Sequence, residues 1–280
     1  MGLENMSMST NVIFDRRTEQ GTISSADPAE VFSDWQGEKE TWLFFAPHDD
    51  DIVIGVGLTF LAGVHLGVDV HAGIISNGRM GYCTPDQRDT IKQVRKEETR
   101  ESFSFLGMPE NNLYQFDYDD GDLTQQTGRR FADDPNDTRA IARAIGLQNT
   151  ITWLLRKVRP TRVFMPNRLD LHPDHRAVNT ELIISIFHAQ GQIWPELGAP
   201  IPVIPKLYEY PTYNDFVAPP TMRVRVSDDL VEKRLAGIAL YKSQLQIDMV
   251  VNELRKTGGS EYLLELSFEI FSAKKYESLF

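Results

Sequence analysis

Two short runs in this chain concentrate side chains able to do metal chemistry. The first, Pro47-His48-Asp49-Asp50-Asp51, places an imidazole and three carboxylates in four consecutive positions. Carboxylates that close repel one another unless something positive neutralises them. A helix N-cap accounts for one Asp, but not for three beside a histidine. The second run is Asp170-Leu171-His172-Pro173-Asp174-His175. The six histidines are 48, 65, 71, 172, 175 and 188, and half of them fall in these two runs. His65, His71 and His188 sit within helix or strand patterns and read as structural. Catalytic zinc takes three protein ligands from His and Asp/Glu and keeps a fourth position open. The two runs supply that set with acids left over. Hydrolysis at such a centre also needs a base beside the attacking water and a donor for the oxyanion. Asp50 and one leftover histidine meet that need; the spacing alone does not choose between His172 and His175 as ligand.

The surrounding pattern must bring the two runs together. Trp42 to Ala46 is an apolar, aromatic-rich run ending at Pro47, which suits a buried parallel strand. Ile52 to Leu66 reads as a helix weakened by Gly55, Gly57 and Gly63. Val68 to Ile75 reads as a strand. Thr90 to Leu106 reads as a helix with Gly107 as its C-cap. Further strands are expected at Leu113 to Phe116, Thr161 to Met165, Val203 to Tyr210 and Met222 to Val226. Helices are expected at Asp137 to Val158, Ala177 to Ala189 and Asp229 to Gln244. This alternation predicts an α/β fold, Rossmann-like and three-layered, with a mostly parallel sheet and helices on both faces. Residues 1–40 read as an N-terminal extension that wraps the domain or is partly loose, and 41–280 as a single catalytic domain. Both chemical runs directly follow strands, where open α/β sheets hold their ligands. The tail from Leu245 to Phe280 carries no functional signal and reads as a cap or a subunit contact.

Composition narrows the classes. With 29 basic and 40 acidic residues the formal charge is −11, which argues against non-specific nucleic-acid binding. Cys83 is the only cysteine, so no internal disulfide can form. No apolar stretch is long enough to span a membrane. Met1 to Met6 lacks a basic segment leading into an apolar run, so no secretory signal is expected and cytoplasmic residence is. No Gly-x-Gly-x-x-Gly turn follows the first strand and no Gly-x-Ser-x-Gly elbow occurs, which disfavours a dinucleotide-binding protein and a serine hydrolase.

In order along the chain, Pro47-His48-Asp49-Asp50-Asp51-Ile52 with Gly55 and Gly57, Asn77-Gly78-Arg79-Met80-Gly81, Arg95 with Glu98, Leu106-Gly107, Asp120-Gly121, His172-Pro173-Asp174-His175 and Lys242-Ser243-Gln244 form a pattern. It resembles the LmbE-like, or PIG-L, family of zinc-dependent de-N-acetylases over residues 41 to 245. The resemblance implies that His48, Asp51 and His175 hold zinc, or another divalent transition metal. It implies Asp50 as general base, protonated His172 as the oxyanion donor or the aid to amine departure, and Asp174 as a residue orienting a histidine. It implies sugar contacts at Arg95 and Asp120. Two positions depart from the family pattern: Asp49 stands where proline is usual, and Arg79 where an acid is usual. Arg79 at the rim suggests an anionic conjugate. The expected substrate is a small N-acetylglucosamine-type sugar conjugate, deacetylated by a chain that could form a homo-oligomer. The alternatives are hydrolysis of another amide or ester, and non-catalytic sugar binding.

Overall fold

Residues 42–46 are buried on both sides, which is why the run is apolar without alternation. Trp42, Phe44 and Ala46 pack into one core, while Leu43 and Phe45 pack into another. The computed structural model describes residues 12–280; the first part of the expected extension, including Met1 to Met6, lies outside the described residues. The elements are β1 (Val12–Thr18), β2 (Gly21–Ser25), α1 (Pro28–Val31), β3 (Thr41–Ala46), α2 (Asp51–Gly55), α3 (Gly57–His65), β4 (Asp69–Ser76), α4 (Ile91–Leu106), β5 (Leu113–Tyr118), β6 (Arg130–Phe131), β7 (Ala144–Ile145), α5 (Leu147–Val158), β8 (Arg162–Pro166), α6 (Pro173–Gln190), β9 (Lys206–Tyr210), β10 (Met222–Val226), α7 (Asp228–Ile238), α8 (Ile247–Thr257) and β11 (Ser260–Leu266).

The result is a mixed α/β fold on a nine-stranded sheet of order β2-β1-β10-β11-β9-β8-β3-β4-β5. From β9 to β5 neighbouring strands run parallel. From β9 to β2 they run antiparallel, so the sheet is less parallel than its sequence suggests. The chain leaves β3 toward β4 and β5, then returns through β8 and β9 on the other side. The strand order therefore reverses between β3 and β8, and the two chemical runs leave the carboxyl ends of these two strands, where such sheets open a crevice. Helices α5 and α6 cover one face, and α2, α3, α4 and α7 the other.

Several elements differ from the expectations. Residues 12–25, within the expected extension, form two strands of the sheet. The carboxylate of Asp15 is gripped there by Arg223 and Arg225 of β10 at 2.7 and 2.8 Å. Residues 260–266 add a strand between β10 and β9. The expected helix over 137–158 begins only at Leu147. Asp137 takes the Arg139 amide into a turn, and Ala142 and Arg143 lie at positive φ, which no right-handed helix accommodates. The expected helix over 52–66 breaks at Val56. The expected helix over 229–244 stops at Ile238, and the turns that follow carry Tyr241 and Gln244 to the strand-end loop.

The helix glycines serve close packing. A Cβ on Gly63 would lie 2.7 Å from the Trp42 ring, and one on Gly55 2.8 Å from the Pro211 carbonyl. The start of α3 has no local cap; Glu261 of β11 instead accepts from the amides of Leu58 and Thr59 at 2.9 and 2.8 Å and from the Thr59 hydroxyl. That buried carboxylate joins the helix beside the site to the antiparallel half of the sheet. Glu261→Ala should cost about 3 kcal/mol, because buried amides and Arg234 lose their partner; chemical denaturation measures this, and a loss below about 0.5 kcal/mol would refute the cap.

Candidate metal centre

Four loops at the carboxyl ends of β3, β4, β5 and β8 meet at the reversal point. The His48 amide donates to Asp51 Oδ2 at 2.8 Å, which folds the turn back on itself before α2 begins. That same oxygen lies 3.1 Å from His48 Nδ1 and 3.3 Å from His175 Nε2, and the two nitrogens are 3.2 Å apart. Three donor atoms thus form a nearly equilateral triangle. Tetrahedral zinc with bonds of about 2.0–2.1 Å needs ligand atoms ~3.3 Å apart, so the triangle fits the ion that the residue types suggest. His48, His172 and His175 make a second group able to hold a metal, and His48, Asp120 and Asp174 a third.

Each imidazole is backed on its far side. Asp170 Oδ2 stands 3.3 Å from His175 Nδ1, and is itself placed by the Tyr213 amide. Asp120 and Asp174 stand 3.1 and 3.5 Å from His48 Nε2. Asp174 is fixed by the amides of Gly121 and Leu123 at 2.8 and 3.1 Å, so the 121–123 turn positions it. Carboxylates behind ring nitrogens orient metal-binding histidines and raise their basicity. His172 is different. Its Nδ1 accepts from the Asp174 amide at 3.2 Å, which puts the hydrogen of the neutral ring on Nε2. Its ring lies edge-on to His48, with centroids 4.6 Å apart.

Charge is badly out of balance. Asp51, Asp120, Asp170 and Asp174 crowd the rings of His48 and His175, while the Arg95 guanidinium answers Asp49, with Asp50 held by Gln244. Burial disfavours a charged His175, yet the carboxylates of Asp51 and Asp170 outweigh it and hold the ring's pKa up at about 9. The same contest, with Asp51, Asp120 and Asp174 opposing burial, holds His48 well above the ordinary value. Asp51 is pulled well below the carboxylate range, because His175 and His48 outweigh its burial. Burial and the Asp51 charge push Asp50 up, with the Gln244 amide on its carboxylate opposing. Burial and the nearby His48 push the pKa of His172 down, with the Asp174 charge opposing.

The sequence-expected residues His48, Asp50, Asp51, Asp120, His172, Asp174 and His175 all come together here. Arg95 is buried and directs Nη1 to Asp49 at 3.1 Å and Nη2 to the Gly81 carbonyl at 3.1 Å. Arg79 is exposed, paired with Asp119 at 3.0 Å, and makes no contact with the histidines. Asp170, Tyr241 and Gln244 were not singled out as site residues. Asp170 lies in the second chemical run, and Gln244 in the Lys-Ser-Gln motif, so both carried a signal. Tyr241, whose hydroxyl donates to the Asp49 carbonyl at 2.7 Å, carried none.

A family model described as PIG-L, GlcNAc-PI de-N-acetylase, matches residues 43–186, just over half of the chain. The chain belongs to the PIG-L family. It is 27% identical over 202 residues to 1D-myo-inositol 2-acetamido-2-deoxy-alpha-D-glucopyranoside deacetylase of Kineococcus radiotolerans, covering 65% of this chain and 55% of that protein. The PIG-L chain thus spans about half the length of that curated relative. Its fold is similar to N,N'-diacetylchitobiose deacetylase from Pyrococcus horikoshii, with TM-score 0.65, 23% identity, and 89% and 92% of the two chains covered. It is also similar to a conserved protein from Thermus thermophilus, with TM-score 0.63, 23% identity, and 84% and 98% covered. At that identity these likenesses speak to the fold alone. Among the described residues of this PIG-L chain, no helix is long and apolar enough to cross a membrane.

Asp170→Asn tests the backing of His175. It should lower affinity for zinc about 10–100-fold with the fold intact, read by competition with a chelator; unchanged affinity would refute the orienting role.

Proposed function

We propose that this chain is a zinc-dependent hydrolase that removes the acetyl group from an N-acetylglucosamine-type sugar conjugate. The observation that carries the reading is the triangle of His48 Nδ1, Asp51 Oδ2 and His175 Nε2, with Asp50 next in the chain but held out of it by Gln244. The parallel strands around the reversal point are the Rossmann-like part of the fold that this reading uses. The metal is zinc or another divalent transition ion, and these three residues are its ligands. Such an ion supplies Lewis-acid polarisation of the acetamide carbonyl and acidifies a water at neutral pH.

Asp50 takes the proton of the attacking water. Burial and the Asp51 charge raise its pKa, which makes its carboxylate a stronger base. Its proton then passes to the departing amine, so the balance is acetamide plus water giving acetate and a free amine. His172 offers Nε2–H to the developing oxyanion and steadies the leaving group. Asp174 and Asp120 keep the His48 ring in place. Arg79 lies at the outer rim beside Asp119, where it would meet an anionic part of the conjugate. The name of the curated relative, a deacetylase of an acetamido sugar joined to inositol, supports the substrate class.

Three outcomes follow. His48→Ala and His175→Ala should lose both zinc and acetate release, whereas Asp50→Asn should keep zinc and lose about 10³-fold in kcat; metal analysis with an acetate assay on N-acetylglucosamine conjugates reads both. An Asp50→Asn protein with undiminished turnover would overturn the scheme. The pH dependence has a definite sign. Without metal, His175 keeps its proton up to about pH 9, and zinc must displace it. Zinc affinity should therefore rise with pH toward 9, with protons released on binding at pH 7. Calorimetry in buffers of different ionisation enthalpy measures that release, and its absence would contradict ligation by these imidazoles.

A further inference from the structure

We infer that the buried Asp49–Arg95 ion pair is a clamp that sets the geometry of the strand-end turn, making both of them positioning residues. The inference rests on the metal-hydrolase reading above. Within four residues, the turn between β3 and α2 must bring His48 and Asp51 onto one triangle while turning Asp50 to Gln244. Side-chain tethers hold it. The Asp49 carboxylate meets Arg95 Nη1 at 3.1 Å, the Asp49 carbonyl accepts from Tyr241 at 2.7 Å, and the Asp50 carboxylate accepts from Gln244. Arg95 is rooted in α4, and its Nη2 reaches the Gly81 carbonyl. The pair thus ties the turn to a helix and to the 77–81 loop at once.

That loop is shaped around the pair. A Cβ on Gly78 would lie 3.2 Å from Asp49 Oδ1, and one on Gly81 3.0 Å from Arg95 Nη2. Both positions are glycine where a side chain would crowd the ion pair. Residue 49 is also where the resembled motif has proline, whose ring fixes φ. Aspartate has no such restriction, and the ion pair supplies the missing rigidity. A buried pair of this kind persists only with good geometry, and removing one partner strands the other charge.

The rival role for Arg95 is direct contact with the sugar. Its Nε is buried without a partner, and Arg95 lines a cavity of about 320 Å³ with Asp49, Ser76, Asn77 and Asp117. The two roles separate by experiment on the full, zinc-loaded chain, with the methyl glycoside of N-acetylglucosamine as probe. In Asp49→Ala and Arg95→Met, a clamp predicts zinc affinity weakened about tenfold or more by chelator competition. It also predicts kcat down about tenfold or more with KM within about twofold. The double variant should be no worse than the worse single, because one device is removed once. Asp49→Glu, which keeps the charge, should recover part of the loss. If a single variant does not fold, the double variant, which strands no charge, and the isosteric Asp49→Asn carry the test. Arg95→Met with raised KM but unchanged kcat and zinc affinity would overturn the clamp in favour of sugar contact. Effects that multiply in the double variant would overturn it as well. A wild-type chain that binds zinc but releases no acetate would refute the hydrolase reading, and the clamp would then be judged on zinc affinity alone.

Discussion

The centre turns on one carboxylate oxygen placed between two buried imidazoles. Asp51 Oδ2 accepts the His48 amide and also lies within 3.3 Å of both ring nitrogens that face it. Without a cation, the carboxylates around them raise the proton affinity of both rings. A divalent ion would exchange those protons for stronger bonds. It would also relieve the repulsion among the surrounding acids. The rest of the local structure keeps this oxygen in place, through the turn after β3, the amides of the 121–123 turn under Asp174, and Asp170 behind His175.

The division of labour among Asp49, Asp50 and Asp51 follows from what each one touches. Asp51 is drawn down by two imidazoles and is fixed as an anion. Asp50 is drawn up by burial and by Asp51, and Gln244 aims it. Asp49 is drawn up by burial and its neighbour Asp50, and Arg95 opposes both by pairing with its carboxylate. Three identical side chains in a row therefore acquire three different chemistries from their surroundings. Their order along the chain matters less than the elements that reach them, namely α4 for Asp49, the turns after α7 for Asp50 and α6 for Asp51.

Much of this was legible in the sequence where a local pattern sufficed. The apolar run of β3, the capped helix α4 and the two acidic, histidine-bearing runs at strand ends all read correctly, because burial on both sides and cap chemistry leave marks in consecutive residues. The motif order identified the family that the comparisons bear out. Elements whose partners are distant were not legible. Strand β2 is mostly exposed, and β11 is defined by pairing with residues some forty and sixty positions away. Residues 137–146 have helical composition, but an Asp turn and two residues at positive φ override it. Tyr241 was unreadable for the same reason, since only the early end of α7 brings it under the turn.

The central claim is the seat of the ion, and anomalous diffraction from crystals of the zinc-loaded protein tests it most directly. The account predicts one zinc bonded to His48 Nδ1, Asp51 Oδ2 and His175 Nε2 at about 2.0–2.1 Å, with Asp50 and His172 outside the coordination shell. Zinc bonded to His172 in place of Asp51, or seated between His48, Asp120 and Asp174, would contradict it.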